Sequence, residues 1–530
     1  SLQMKPLLLL ILCLSCCHSF NILVYIPKFA ISHINFMGKL ADTLVDAGHN
    51  VTALISEMDS SLTDGTKKAH IVRIPPAEGA NHMNTHFMTQ EATDMFEIHF
   101  DSYVGAVENA YHNSISFCIQ CRKLLTTAGL VERLKNENYD ALITESFENC
   151  GVGLSHLIKP RALIPVSSTF LFDPSAFGIH YSLITEHSFM MDGRFHSTLS
   201  SRLTTIYHWF LFRAFYNTQN IPLQNVFDEL YPGTPSFSTI LSDAAVVFSN
   251  TEPLVDFPRP SIAKIVPIGG INVPTPKPLD DYWNTILSLR PHSVLISFGS
   301  IAKSVLMKPA RKAALLKAFS SFPNSTFIWK YEDKSDDFAR IVASKVPNVI
   351  LTEWMPQTDI LADPRLSLFV SHGGMASTLE IAHLGVPSLL IPIFGDQIHN
   401  AGALAHIGIA KVFSKFDMID SEKIIEAIGE MIKDERHKKN GERIRDQLAA
   451  RPSSPIERLV KNVEFAARFG PSKSLRPLNL DLSTIQFLGI DLLLIIIASI
   501  FLILFSFIAV YKFARCILSV VKIRKVQKID

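Results

Sequence analysis

A short stretch in the second half of the chain has the elements of an anion-binding site. Residues 366–370 (LSLFV) predict a buried strand, residues 371–374 (SHGG) a tight loop, and residues 375–384 a helix that ends before Gly385. The free N–H groups and the dipole of a helix N-terminus both favour an anion such as phosphate. A glycine pair before a helix is also a common turn, so the loop alone does not decide between the two interpretations.

Three side chains near this loop have the chemistry that a nucleotide needs. Ser377 and Glu380 are three residues apart and therefore share one face of the predicted helix. A hydroxyl at Ser377 would lie near phosphates, and a carboxylate one turn later can accept hydrogen bonds from ribose hydroxyls. Trp354 offers a ring on which a base can stack.

Two titratable residues of the first half each follow a predicted strand. His33 follows the predicted strand at 20–26, and Glu145 follows the strand at 141–144. Doubly wound sheets bind ligands at the carboxyl ends of their strands, and an imidazole titrates near neutral pH, as a general base should. The chain has 19 histidines, and most histidines are solvated or structural. Glu145 could equally be a solvent-facing carboxylate at a strand end.

The elements that must position these residues alternate between short apolar runs and longer helical patterns. Such alternation predicts an α/β fold with doubly wound parallel sheets. The predicted strands are residues 20–26, 51–55, 141–144, 244–248, 294–297, 326–329, 366–370 and 388–391. Residues 273–279 contain three prolines and are typical of a linker, so we expect two domains, at 20–272 and 280–470, with ligands in the cleft between them.

The two ends of the chain predict targeting to the secretory pathway. Residues 1–19 have the layout of a signal peptide, and the uncharged apolar run at 492–511 is long enough to span a bilayer. Residues 471–491 form a juxtamembrane segment, and residues 512–530 form a tail with net charge +5, which the positive-inside rule assigns to the cytoplasm. The alternative for 492–511 is a buried core helix.

The balance of positive and negative residues argues against one class of partner. The 50 Lys and Arg residues and 49 Asp and Glu residues give a net charge of +1, which argues against a nucleic-acid partner. Cys118, Cys121 and Cys150 allow at most one disulfide among themselves, and Cys118 and Cys121 are expected to be core or free thiols, because no second cysteine pair or histidine cluster accompanies them. Of the two glycosylation sequons, at Asn50 and Asn324, the second is the better candidate.

The aromatic segment at 170–215 fits either an acceptor pocket or a membrane-surface patch.

Three strings of residues carry a family resemblance. Trp354 with Gln357 (W-x-x-Q), residues 372–380 (HGGMASTLE) and residues 385–401 (GVPSLLIPIFGDQIHNA) resemble the UDP-glycosyltransferase signature of the animal detoxifying enzymes. The resemblance extends over nearly the whole chain. It implies a GT-B fold of two Rossmann-like domains plus one C-terminal transmembrane helix. It also implies a UDP-sugar donor in the C-terminal half and an acceptor in the N-terminal half, with no metal and no other cofactor.

The resemblance also implies a role for each matching position. On the donor side, Trp354 would stack on uracil and Gln357 would bond the base or ribose. The remaining donor contacts would be the diphosphate with Ser300, His372, Gly374 and Ser377, the ribose with Glu380, and the sugar hydroxyls with Asp396 and Gln397. On the acceptor side, His33 would be the catalytic base and Glu145 its orienting partner. The chain departs from the family pattern at Ala376, where many relatives carry Asn, and at Glu145, where Asp is common.

We therefore expect an inverting UDP-glycosyltransferase that transfers glucuronic acid or glucose to small lipophilic acceptors in detoxification. The alternatives are a non-catalytic protein that binds UDP-sugar or a lipophile, and a biosynthetic lipid glycosyltransferase. A single-pass type I protein of the endoplasmic reticulum with lumenal catalytic domains is expected, although the dilysine pattern of relatives is incomplete because Gln527 precedes Lys528. The identity of the sugar and of the acceptor stays open, as does homo-oligomerisation.

Overall fold

The computed structural model describes residues 19–82, 95–99, 102–170, 199–258, 261–477, 482–487 and 489–526. The chain divides into two compact units, Ser1–Leu475 and Arg476–Asp530. The predicted signal peptide lies almost entirely outside the described residues, as do positions 171–198 of the aromatic segment and the last four residues of the tail.

The first half of the large unit is built on a parallel sheet of seven strands. Its elements are β1 (Asn21–Lys28), α1 (Ile31–Asp46), β2 (Asn50–Glu57), β3 (His70–Ile74), α2 (Tyr103–Thr126), α3 (Leu130–Asn136), β4 (Ala141–Glu145), α4 (Cys150–Ile158), β5 (Ala162–Ser167), α5 (Leu199–Leu230), α6 (Phe237–Ser242), β6 (Val247–Ser249) and β7 (Ile265–Pro267). The strand order is β3-β2-β1-β4-β5-β6-β7. The order reverses between β1 and β4, which leaves a crevice at their carboxyl ends.

The second half is built on a parallel sheet of six strands. Its elements are α7 (Asp281–Leu287), β8 (His292–Ser297), α8 (Pro309–Ser320), β9 (Ser325–Lys330), α9 (Asp337–Lys345), β10 (Val349–Thr352), α10 (Gln357–Leu361), β11 (Leu366–Ser371), α11 (Met375–Leu384), β12 (Ser388–Leu390), α12 (Gln397–His406), β13 (Ala410–Val412), α13 (Ser421–Lys433), α14 (Glu435–Ala449) and α15 (Pro455–Phe469). The order β10-β9-β8-β11-β12-β13 reverses between β8 and β11. The predicted α/β fold with two doubly wound parallel sheets is confirmed.

Continuous apolar runs explain why the central strands form. In β1, every residue after Asn21 is buried, because α1 packs on one face of the sheet and helices of the other layer cover the opposite face. Helix α1 ends at Asp46, and Gly48, two residues later, has a φ of +92°, a left-handed conformation that glycine tolerates best. The strand predicted at 244–248 is shorter than expected, since only Val247–Ser249 pairs with its neighbours.

Helix α15 returns from the second half to the first. Its residues Leu459, Val463, Ala466 and Ala467 are buried in the core of the first sheet, beside α1. The last helix of the large unit therefore ties the two halves together, although it follows the second sheet in the sequence. The domain boundaries predicted from the sequence, including the end at residue 470, stay predictions.

The small unit contains one long helix, α17 (Ile490–Val526), preceded by the short α16 (Thr484–Phe487). Within α17, residues Ile490–Ser519 are long and apolar enough to cross a membrane, and they are not buried. This finding is consistent with the transmembrane helix predicted at 492–511 and argues against the buried core helix.

The cysteines correct one expectation. Cys121 and Cys150 form a disulfide with their Cα atoms 5.7 Å apart, so the prediction of a core or free thiol is wrong for Cys121. The packing of α2 against the start of α4 brings together two residues that are 29 positions apart, which spacing alone does not reveal. Cys118 is a free thiol, and burial together with the charge of Glu148 raises its pKa to about 12.

The two glycosylation sequons are both accessible. Asn324 lies in an exposed turn before β9, and Asn50 is the one exposed residue of β2. Modification of either asparagine stays a prediction.

Candidate active site

A cavity of about 1020 Å³ lies at the carboxyl edges of both sheets, where the two switch points face each other. It is lined by residues from both halves. Ten of the residues proposed from the sequence line it: His33, Ser300, Trp354, Gln357, His372, Gly374, Ser377, Glu380, Asp396 and Gln397. Glu145 lies behind His33, in contact with that residue. The fold therefore brings all the candidate residues to one place.

His33 and Glu145 form a hydrogen-bonded pair across the first switch point. His33 lies in the first turn of α1, after β1, and Glu145 is the last residue of β4. His33 Nδ1 is 3.0 Å from Glu145 Oε2, and the glutamate side chain is completely buried. Glu145 Oε1 accepts hydrogen bonds from the backbone N–H groups of Ser146 (3.0 Å) and Phe147 (3.2 Å). The carboxylate is thus held in place by the turn that follows its own strand.

A third polar group touches this pair, and the sequence did not point to it. Ser168, the first residue after β5, places its Oγ 2.6 Å from His33 Nδ1. Its position directly after a strand of the same sheet was the one available signal, and β5 itself was not predicted.

The cavity around His33 is largely aromatic. The rings of Phe29 and Phe147 lie 4.6 and 5.6 Å from the imidazole. Other apolar side chains that line this part of the first half are Ile31, Phe36, Ala106, Leu211, Phe212 and Phe215. An apolar molecule with a polar group near His33 would be accommodated here.

The loop between β11 and α11 holds His372 in a narrow slot. A Cβ atom on Gly299 would lie 2.7 Å from the imidazole Cε1, and one on Gly374 would lie 2.6 Å from Nε2, so both positions need glycine. Gly373, which lies between His372 and Gly374 in the sequence, has a φ of +78°. Burial, helped by the nearby charge of Lys330, lowers the pKa of His372 to about 4, so the imidazole is neutral at physiological pH.

Lys330 is a second residue that the sequence did not identify. It is the last residue of β9 and lines the cavity, where its Nζ donates to the backbone oxygen of Gly299 at 2.7 Å. Burial lowers its pKa from the usual value for lysine. The side chain places a cation beside the two loops that carry Ser300 and His372. Ser300 itself is exposed in the loop after β8.

The carboxylate of Glu380 accepts hydrogen bonds from two side chains of α10. Gln357 Nε2 donates to Glu380 Oε2 at 2.6 Å and to Ser377 Oγ at 3.3 Å, and the Thr358 hydroxyl donates to Glu380 Oε1. Burial raises the pKa of Glu380, while these hydrogen bonds oppose the shift. The amide nitrogen of Gln357 is thus engaged with Glu380, and Thr358 is a contact that the sequence did not suggest.

Trp354 presents its side chain to solvent at the rim of the cavity. With 72% of its surface exposed, it is available as a stacking platform in the loop between β10 and α10. Ala376, where many relatives carry asparagine, also lines the cavity and is exposed in the first turn of α11. The structure therefore leaves open space at this position.

Asp396 lies directly before α12, Gln397 is the first residue of that helix, and both line the cavity. Asp396 Oδ2 accepts a hydrogen bond from Asn400 Nδ2 at 2.7 Å, and burial raises its pKa whereas the charge of His33 opposes this shift. Gln397 Oε1 accepts from the backbone N–H groups of Ile393 and Phe394, at 2.8 and 3.1 Å. Asp396 of the second half and His33 of the first half line the same cavity.

In the described part of the chain, no cluster of three or more His, Cys, Asp or Glu side chains is arranged to hold a metal ion. The expectation that no metal or other cofactor takes part stays a prediction.

The chain is similar to one known protein family over most of its length. The family model "UDP-glucoronosyl and UDP-glucosyl transferase" matches residues 21–526. A putative UDP-glucuronosyltransferase of Caenorhabditis elegans, ugt-55, is 30% identical over 422 residues, which cover 78% of this chain and 80% of that protein. UDP-glucuronosyltransferase 3A1 of Bos taurus is 29% identical over 472 residues, covering 84% of each chain.

Solved structures share the fold at low sequence identity. The calicheamicin glycosyltransferase CalG4 has a TM-score of 0.57 at 15% identity and covers 86% of this chain and 100% of its own. A UDP-glucosyltransferase from Polygonum tinctorium has a TM-score of 0.56 at 14% identity, with 87% and 100% covered. The predicted GT-B fold is confirmed by these neighbours.

The neutral His372 predicts a pH dependence of stability. Because its folded-state pKa lies below that of an unfolded histidine, the unfolded chain binds more protons between about pH 6.5 and pH 4. The free energy of unfolding should therefore fall as the pH falls through this range, with about 1 to 2 kcal/mol lost by pH 5 through this residue. His372→Gln should reduce the difference in Tm between pH 7 and pH 5, measured by thermal unfolding of the full chain in detergent.

The matched control is His70→Gln, which changes an exposed histidine at the start of β3 and should leave that difference as in the parent. An equal effect of both substitutions, or none at His372, would contradict the assignment of a neutral imidazole with a lowered pKa.

Proposed function

The chain belongs to the family of UDP-glucuronosyl and UDP-glucosyl transferases, and from this premise we propose that it is an inverting enzyme that transfers glucuronic acid or glucose from a UDP-sugar to a small lipophilic acceptor. Membership of the family makes it a glycosyltransferase with a UDP-sugar as donor. The observation that carries the finer proposal is the His33–Glu145 pair, which faces a cavity shared by the two sheets.

The donor side supports binding of the UDP moiety. Trp354, which is exposed at the cavity rim, would stack on the base, and Glu380, held by Gln357 and Thr358, would accept from the ribose hydroxyls. The N-terminus of α11, which begins after Gly374, offers free N–H groups to the diphosphate, and Lys330 adds a positive charge nearby.

The acceptor side supports deprotonation of a hydroxyl. Glu145 binds His33 at Nδ1, which leaves Nε2 as the nitrogen that can take the acceptor proton. As the acceptor oxygen forms its bond to the anomeric carbon, the bond from that carbon to the phosphate oxygen breaks and UDP leaves. The new charge on His33 is stabilised by the carboxylate, and the charge on UDP by Lys330, His372 and the helix N-terminus. Attack from the face opposite to UDP inverts the anomeric configuration.

The shape of the first half supports a lipophilic acceptor. Aromatic side chains, including Phe29 and Phe147, surround His33, and Phe212 and Phe215 extend the apolar surface. Burial of an apolar acceptor against this wall would favour binding by roughly 25 cal/mol for each Å² removed from water.

The proposed ribose contact can be tested on binding alone. Glu380→Ala should weaken UDP affinity by about 1 to 3 kcal/mol, because two ribose hydroxyls lose a charged acceptor. The measurement is isothermal titration calorimetry with UDP, and Glu380→Gln, which preserves the side-chain volume, separates a lost contact from a collapsed site. Glu426→Ala, an exposed glutamate on α13, is the control. Unchanged affinity in both Glu380 variants would show that this helix does not bind the nucleotide.

The proposed base can be tested by separating binding from chemistry. His33→Ala should lower kcat by about 100-fold or more and leave UDP affinity nearly unchanged, because proton removal contributes about that factor. Glu145→Gln should lower kcat less, and Glu145→Asp should also lower it, since the shorter side chain would withdraw from Nδ1. Transfer is measured with a panel of UDP-sugars and phenols, with His70→Ala as the control.

A His33→Ala variant as fast as the parent would overturn this mechanism. A parent that binds UDP but transfers none of the sugars tested would instead support the non-catalytic alternative.

The C-terminal helix supports anchoring in the endoplasmic reticulum membrane with the catalytic unit in the lumen. The tail after residue 511 carries the net charge of +5, which favours the cytoplasmic side. We expect protease added to sealed microsomes to remove the tail alone and leave the catalytic unit intact, as followed by immunoblotting. Detergent-opened microsomes are the control, and digestion of the catalytic unit in sealed vesicles would reverse the proposed orientation.

A further inference from the structure

His33 Nδ1 faces two oxygens, one from each of two different strands. Glu145 Oε2, at the end of β4, is 3.0 Å away, and Ser168 Oγ, just after β5, is 2.6 Å away. Ser168 lines the cavity and is 94% buried. In the part of the chain that the structure describes, His33 is the one hydrogen-bond partner of the Ser168 hydroxyl.

The surroundings of Glu145 decide which atom carries the proton. Its Oε1 accepts backbone hydrogen bonds from Ser146 and Phe147, and a longer one from Ser168 N at 3.4 Å. Donors thus converge on the carboxylate, as they do on an anion. A lone pair on Nδ1 would repel Oε2 at 3.0 Å, so Nδ1 carries a hydrogen and Nε2 carries the lone pair.

We propose that Ser168 is a positioning residue for His33: its Oγ accepts the Nδ1–H proton together with Glu145 and so keeps Nε2 unprotonated toward the cavity. The serine itself is fixed by Asn250, whose Nδ2 donates to the Ser168 backbone oxygen at 2.8 Å. The backbone N–H of Asn250 also donates to the carbonyl oxygens of Ser167 and Thr169 on either side. The role of Ser168 in turnover rests on the proposed function, whereas its effect on the imidazole does not.

The direction of the hydrogen bond between His33 Nδ1 and Ser168 Oγ decides whether replacing Ser168 shifts the titration of His33 to lower or to higher pH. An imidazolium donates more strongly than a neutral ring, so removal of an acceptor at Nδ1 destabilises the charged form and lowers the pH at which His33 titrates. If the Ser168 hydroxyl instead donated to Nδ1, its removal would shift the titration upward. The charged groups that face His33 from the other elements, Glu145 on β4 and Asp396 before α12, remain in the variant.

The experiment measures the reactivity of His33 toward diethyl pyrocarbonate, which modifies unprotonated imidazole. The full chain in detergent is labelled between pH 5 and pH 8, and modification of the His33 peptide is followed by mass spectrometry. Ser168→Ala should lower the pH midpoint of labelling by about 0.5 to 1 unit, which corresponds to the loss of one hydrogen bond. Ser168→Thr, which retains the hydroxyl, should restore the parent midpoint.

The matched control is Ser167→Ala. Ser167 is the preceding buried serine, and its Oγ donates to the backbone oxygen of Phe170 at 2.7 Å instead of contacting His33. In this variant, diethyl pyrocarbonate should modify His33 with the same pH midpoint as in the parent. A midpoint in Ser168→Ala that is unchanged or raised, or an equal shift in Ser167→Ala, would overturn the proposal.

Kinetics give a second test. Ser168→Ala should lower kcat about 3- to 10-fold, with little change in the donor KM, and should move the acidic limb of the kcat/KM profile to lower pH. In a Glu145→Ala background the same substitution should cause a larger loss, because Ser168 is then the remaining acceptor for Nδ1–H. A loss seen in KM alone would overturn the proposal. Because labelling needs no turnover, failure of the proposed function is distinguished from failure of this inference.

Discussion

The carboxylate of Glu145 has no access to water and must be satisfied by donors within the protein. Burial of a charge is tolerated when hydrogen bonds surround it, and here the donors come from the turn after β4 and from His33 on α1. That requirement is met because the strand order reverses between β1 and β4, which places the end of one strand beside the helix that follows the other. The orientation of the proposed base therefore depends on the topology of the first sheet.

The second sheet has a switch point of the same kind, and the proposed donor site lies there. The loops after β8 and β11 approach each other at its own switch point, and two glycines make room for His372 between them. The imidazole is neutral because its slot is desolvated and because Lys330 lies nearby. A neutral ring can donate a hydrogen bond without adding charge, while the lysine supplies the charge. In the proposed function, these two groups would together stabilise the diphosphate of the donor.

Polar contacts between the halves keep the two switch points facing each other. Asp256, after β6, is 2.7 Å from His399 Nε2 on α12, and His399 in turn stacks on Phe170. Glu252 binds Arg451 and Arg458 at 3.0 and 3.3 Å, on either side of the start of α15. Buried pairs of this kind add specificity of geometry more surely than net stability. Together with α15, they determine which residues of one half reach the cavity of the other.

The sequence was informative where physical signals are local. Strands such as β1, β4 and β11 were predicted from their apolar runs, whereas the partly buried edge strands β3 and β10 were not predicted. Arg73 interrupts the apolar pattern of β3, and β10 was missed although residues 349–351 are apolar. Strand β5 was missed although it is fully buried, because Pro165 interrupts its pattern.

Local sequence signals also identified only part of the candidate site. His372, Ser377 and Glu380 could be grouped from the sequence because a single loop and helix place them, and their spacing resembles that of a known family. The contacts of Ser168 with His33, Lys330 with Gly299, and Cys121 with Cys150 were decided by tertiary structure alone. Each joins residues that neighbouring strands or packed helices bring together, and a single sequence gives no measure of which distant residues share an edge of a sheet.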